Sequence, residues 1–333
     1  MGADAKRIDW IDLAKGFCIL LVVFHHVAVR LQVDYPLSDQ VTSFRMPLYF
    51  ILSGLFFKQY EGFIGFLKRK TNKLLIPFLF FLLTTSVIPF AIINHDLSLK
   101  FFFTKMNGPV YNYAIWFLLC LFEINLLFYL IQWVSNRVSA RKQTIIVMSV
   151  SSLLGCCGLA LGVRQVPNPL YVCTTLTALP FFAFGWWLRR HTRFLSSPVN
   201  LIIDLPLIIV CCIIVMTFAF NVIYAYNDIP SEGVWFVYLC GIAGTIMVLT
   251  VSKIIRRIPF ISFWGRYSII ILCTHQVIVI GLSSALGKYF GGGVSLFATV
   301  FLLTMVICHL LILFMRKYMP HVTAQKDVIK VGV

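Results

Sequence analysis

The chain has 333 residues, 60% of them apolar and 12% charged, with a formal net charge of +16. A soluble surface takes about 25% charged residues, and a water-soluble core of this length does not hide 31 Phe. A soluble globular protein is excluded, and lipid is the expected solvent. The basic residues stand in short clusters between apolar runs, without aromatic residues interleaved on a polar face, so nucleic acid is not an expected partner.

Runs long and apolar enough to cross a bilayer fall at roughly 11–31, 42–57, 74–94, 113–134, 144–163, 171–188, 200–223, 234–252, 267–286 and 294–315. The first begins close to the N-terminus, with acids before it and no A-x-A site after it, and is expected to stay as a span rather than be cleaved. The second is short and holds Pro47 and Gly54, which suggests a broken or re-entrant segment. The gap at 95–112 is the longest and is too short for a folded domain. The expectation is therefore an all-α polytopic bundle of about ten transmembrane helices, one integral-membrane domain over 1–333 with no soluble domain. Ten cysteines, mostly inside the apolar runs and with no CxxC pair, read as small packing residues rather than disulfides or metal ligands.

Charge orients these spans. With the N-terminus inside, 21 of the 28 basic residues lie in inner segments and 5 in outer ones; Lys15 and Arg45 fall within spans. That bias alternates through the whole set and predicts that both termini are cytoplasmic.

An ionisable side chain at depth costs about 2.5–3.5 kcal/mol on insertion scales and calls for a reason. The first span, DWIDLAKGFCILLVVFHHV, carries Asp9, Asp12, Lys15, His25 and His26. Lys15 and His26 are eleven residues apart. At 100° per residue they share a face, about 16 Å apart along the axis, and His25 points about 100° away. Simpler roles remain open: capping for the two acids, snorkelling for Lys15, a buried hydrogen bond for His26. Glu123 beside Asn125, and His275 beside Gln276, also sit mid-span and must face the bundle interior or a cavity, as functional groups or as interhelical polar contacts. The inner loop FLKRKTNKLLIPF packs Lys68, Arg69, Lys70 and Lys73 into six residues. It reads either as positive-inside charge or as a phosphate-attracting cavity mouth.

Five stretches in order resemble the membrane acyltransferase 3 family, the multi-span O-acyltransferases that act on bacterial glycans. They are IDLAKGFCILLVVFHHV, whose basic-x10-His spacing falls on Lys15 and His26; FRMPLYFILSGLFF at 44–57; FLKRKTNKLLIPF at 66–78; WFLL at 116–119; and FWGRYSIIILCTH at 263–275. The match spans nearly the whole chain. The family's first-span basic residue is often Arg. Lys15 stands there in this chain and offers a point charge instead of a bidentate fork.

The resemblance implies a multi-pass protein of the cell (inner) membrane. Its donor would be acyl-CoA, acetyl-CoA first among them, its acceptor a glycan or lipid-linked sugar, and no metal would take part. Carried onto this chain, it places Arg69, Lys73 and Lys15 at the donor phosphates. His26, Lys15 and His275 become the catalytic candidates, and Arg45, Glu123 and Trp116 the acceptor candidates. The pantetheine arm would thread along the first-span stripe to His26. That imidazole acts there as general base, or as a transient acyl carrier handing the group to an outer acceptor. The rival reading is a transporter of a small anionic or glycan substrate, which midplane polar groups also suit, although no inverted repeat is evident.

Overall fold

The computed structural model describes residues 8–60, 62–89, 92, 111–289 and 292–330. Among these the chain is helical, and the only β pairing is an isolated bridge between Ile223 and Asp228. Helix α1 (Asp9–Leu31) opens with Asp9 and Asp12 in its first turn, where carboxylates favour the helix dipole. It closes on Gln32 in the left-handed region (φ 54°), whose N–H returns to the carbonyls of Ala28 and Val29. Helix α2 (Ser38–Leu55) follows and runs unbroken through Pro47, against the expected interruption. Neighbouring helices accommodate a membrane proline when they leave room for it. Here Gly241 lies against the Pro47 ring, where a side chain would meet it.

Helix α3 (Gly62–Lys70) leads through a π turn at Thr71–Leu75 into α4 (Ile76–Leu82) and a second π turn at Leu83–Val87. Each π turn precedes a proline, Pro77 or Pro89, by a few residues. A proline ring collides with the carbonyl four residues back, here that of Lys73 or Thr85 in the middle of each π turn, and the wider turn moves that carbonyl aside. The remaining helices are α5 (Trp116–Ser135), α6 (Ala140–Val163), α7 (Val172–His191), α8 (Leu201–Phe218), α9 (Val237–Ile255), α10 (Pro259–Arg266), α11 (Ser268–Leu286) and α12 (Gly293–Tyr318).

Eight segments among the described residues are long and apolar enough to cross a membrane: the helices α1, α5, α6, α7, α8, α9, α11 and α12 with their flanking turns. The expected second span is the more polar α2. The expected 74–94 span appears as α4 with its π turns, and its end lies outside the described residues, as do Lys6, Arg7, His95, Lys100 and Lys105. Lipid exposure is plain on α8, where Ile202 is 86% and Ile203 62% exposed. A helix apolar on every side has no stable place at a water-facing surface, so the chain is an integral membrane protein.

In lipid, helices associate through close packing rather than through apolar burial from water. Helix α2 lies between α7 and α9, and α1 packs on α10, α11, α9, α12 and α2. Two glycine pairs set the closest crossings. A Cβ on Gly54 or Gly185 would strike the backbone of α7 or α2 respectively, and one on Gly16 or Gly265 would strike that of α10 or α1. An aromatic cluster fills the middle, with Phe128 4.9 Å from both Phe57 and Phe182. Such pairs add about 0.5–1.5 kcal/mol each beyond area burial.

Cross-links define two ends. At the basic end Arg189 donates to the Leu55 carbonyl, Lys253 to the Phe194 carbonyl, and Arg316 to the Tyr267 hydroxyl. At the other end Arg30 donates to the Ser283 hydroxyl, and the corner 168–174 is tied to the loop 224–227.

Candidate active site

Helix α1 passes two cavities. The first, about 420 Å³, opens at the basic end and is lined by Lys15, Lys70 and Lys73, by Tyr49 and Ser53 of α2, and by Phe117 of α5. No carboxylate among the described residues lines it. Lys70 reaches across the Phe66 ring, its ammonium 5.6 Å from the ring centroid, and burial pushes its pKa down to about 8. Lys73 donates to the Ala324 carbonyl at 2.8 Å and pairs with Asp327 at 3.2 Å. The segment that supplies these partners is fixed by Asn72, whose side chain accepts from the Val328 and Ile329 N–H groups and donates to the Ile329 carbonyl. The Tyr49 hydroxyl donates to the Lys15 carbonyl, joining α2 to α1 at the cavity wall.

The second cavity, about 360 Å³, lies toward the other end and is lined by His25, His26, Arg45, Trp116 and Gln276 under the loop 221–226. Its polar groups form a chain. The Ala114 N–H donates to the Gln276 side-chain oxygen at 2.7 Å, which fixes the amide's orientation. The Gln276 Nε2 then donates to His26 Nδ1 at 3.2 Å. Neutral His26 therefore carries its proton on Nε2. The His275 ring stands 5.1 Å from the His26 ring, centroid to centroid. Its Nδ1–H donates to the Ile271 carbonyl at 2.8 Å, and its Nε2 is buried without a partner among the described residues. Adjacent imidazoles thus hold opposite tautomers, one offering N–H and the other a lone pair. His25 shares a hydrogen bond with the Tyr35 hydroxyl at 2.9 Å.

Among the described residues Arg45 is the only Lys or Arg lining this chamber, and no Asp or Glu lines it. Its Nη1 is buried with no hydrogen-bond partner among the described residues. An unpartnered buried donor is costly, about 1–3 kcal/mol and more when charged, so this atom has an unmet demand for a hydrogen-bond acceptor.

The expected site residues separate as follows. Lys15 and Lys73 meet in the first cavity, and His26, Arg45 and Trp116 in the second, with His275 behind His26. Arg69 lines neither; its guanidinium covers the Tyr60 ring at 4.5 Å. Glu123 also lines neither, accepting instead from the Thr175 hydroxyl of α7 at 2.8 Å. Tyr49 was not singled out from the sequence, whereas Lys70 and Gln276 were noted there, in the basic loop and beside His275, without a role in the site. For Gln276 the available signal was its place beside His275 in an apolar span. The cavities share no lining residue. They approach within one helical turn along α11, between Leu272 and Gln276, about 6 Å. On α5 the Phe117 ring, packed on Tyr49 at 5.6 Å and Phe50 at 5.2 Å, lines the first cavity and its neighbour Trp116 lines the second, so the partition also runs between these two residues. Among the described residues no three His, Cys, Asp or Glu side chains gather as a metal site.

No curated protein and no solved structure matches the chain. The sequence profile described as an acyltransferase domain matches residues 8–313, nearly the full length, and the chain belongs to that family, acyltransferase 3.

Proposed function

We propose that the protein moves an acyl group, acetyl first among them, from cytoplasmic acyl-CoA to a sugar hydroxyl of a cell-surface or lipid-linked glycan. The observation that carries this reading is the pair of cavities on α1, one lined among the described residues by three lysines and no acid, the other by two histidines and a guanidinium whose Nη1 has no partner there. The lysine cavity suits the phosphates of CoA, since compact ammonium groups gathered at one cavity attract such an anion. With the basic end cytoplasmic, the imidazole chamber faces the outer leaflet, where the acceptor enters. Both termini are then cytoplasmic.

A thioester needs no further activation, but the hydroxyl must lose its proton and the carbonyl oxygen must be held as charge develops. The sugar oxygen forms a bond to the acyl carbon, the carbon–sulfur bond breaks, and the hydroxyl proton ends on the CoA thiol. His26 is the group in the chamber suited to carry that proton, or to hold the acyl group between two displacements. For His26 to act as base, Nδ1 must exchange the Gln276 amide for the incoming proton. Arg45 neutralises the developing oxyanion or an oxygen of the acceptor. The thioester reaches the chamber only when the Phe117 partition yields.

The test is acetyl transfer by the full chain in proteoliposomes. His26→Asn is expected to abolish transfer while acetyl-CoA still raises the melting temperature. Transfer near the wild-type rate would remove His26 from the chemistry.

A further inference from the structure

Next to the chamber lies a third cavity, about 440 Å³, lined by Gln165, Asn168, Tyr171 and Asp228. It shares Tyr113, Ala225 and Tyr226 with the chamber. The Tyr113 and Tyr226 rings are stacked, centroids 5.0 Å apart at 27° between planes, so a double aromatic wall divides two polar compartments. Resting on the reading of the protein as a glycan acyltransferase, we propose that the acceptor is an oligosaccharide bound across this wall. The sugar that is acylated sits in the chamber, and the next sugar sits in the outer vestibule.

Three observations support a built site. The Tyr171 side chain is 1% exposed, and its hydroxyl has no partner among the described residues although it lines the vestibule. The vestibule is rigid before any ligand arrives. Asn168 accepts from the Cys173 N–H, Thr174 donates to the Tyr224 carbonyl, and Thr177 donates to the Asn227 side-chain oxygen. Leu170 and Tyr171 are both held at positive φ, 52° and 68°, a strained pair of non-glycine residues of the kind that clusters where ligands are gripped. The chemistry is that of a carbohydrate. Sugar rings present apolar C–H faces to aromatic planes and hydroxyls to carboxylate, amide and phenol groups, and both volumes lie within the usual range of ligand pockets.

The experiment uses the full chain in nanodiscs with labelled acetyl-CoA. The acceptors are methyl glycosides of common hexoses, 6-deoxyhexoses and N-acetylhexosamines, each beside its matched trisaccharide. The expected result is a KM for the preferred trisaccharide about tenfold below that of its methyl glycoside. Tyr171→Phe keeps the ring and removes only the hydroxyl. It should shrink that advantage about three- to tenfold, the range of one lost hydrogen bond, while the melting temperature holds. Asp228→Asn should act in the same direction. Equal kcat/KM for both lengths, or a Tyr171→Phe effect identical on both, overturns the two-subsite proposal and leaves glycan acylation standing. If no sugar of either length accepts acetyl while acetyl-CoA still stabilises the protein, the glycan reading falls and the proposal with it.

Discussion

Lys70 makes the donor cavity's charge depend on pH in a way that can be calculated. Its ammonium lies inside the cavity over Phe66, burial holds its pKa near 8 against an ordinary 10.5, and no carboxylate among the described residues lines that space. A phosphate binds the protonated form and draws the pKa back up, so affinity for CoA is complete below pH 8. Above pH 8 the free protein loses the proton that binding requires. Each further pH unit then weakens binding by up to tenfold, about 1.4 kcal/mol, until the pKa of the bound form is passed. At pH 7, Lys70→Met removes a charge-assisted contact of about 1.5–3 kcal/mol, a loss of roughly ten- to a hundredfold. Lys70→Arg should keep the affinity and remove the slope. Lys73 behaves differently because its side chain is 46% exposed and already paired with Asp327. Lys73→Met should cost only a few-fold, the scale of an exposed ion pair. Isothermal titration of CoA into nanodiscs from pH 6.5 to 10 measures all of this. A flat wild-type profile, or Lys70→Met indistinguishable from wild type, would refute the assignment of this cavity to the donor.

Two further perturbations probe the frame. Phe117→Ala removes the ring between the cavities, so acetyl-CoA hydrolysis without acceptor, followed as thiol release, should rise several-fold while the melting temperature falls, as for other buried Phe→Ala changes of about 3–5 kcal/mol; unchanged hydrolysis would place the partition elsewhere. Gly265→Val sets a branched side chain against the Asp12 carbonyl at the α1–α10 crossing and should prevent recovery of folded protein in detergent; a wild-type melting temperature would show that this crossing has slack.

The helical bundle was legible from hydropathy because lipid forces backbone groups to bond within each segment. The site was legible only where one helix carries it. Lys15 and His26 share the face of α1 that their spacing predicts, and each opens on a cavity. That the cavities are distinct could not be read, because Phe117 and Tyr49 come from α5 and α2. The contact between His26 and Gln276 joins positions 250 residues apart. Within the basic loop, spacing could not tell which of two adjacent cations enters the cavity. Both lie in α3, about 100° apart around its axis, with Lys70 on the cavity and Arg69 over Tyr60. Glu123 shows the limit of arguing from polarity at depth. Its carboxyl joins α5 to α7 through Thr175, as interhelical polar contacts do.

The placement of residue types along α1 follows from the cost of charge at each depth. The ammonium of Lys15 stands toward the basic end and the guanidinium of Arg30 in the last turn, both near the water at the membrane faces. Farther in, where an ion costs about 2.5–3.5 kcal/mol, the groups offered to chemistry are imidazoles, which bind and release a proton while passing through a neutral form. Two of them hold opposite tautomers, the first set by an amide that a backbone N–H holds in place. A carboxylate in the same place would need a permanent counter-ion, and Arg45 would then be spent on it. No acid among the described residues lines the chamber, and on the proposed reading that guanidinium stays available for oxygen atoms that arrive with the substrates.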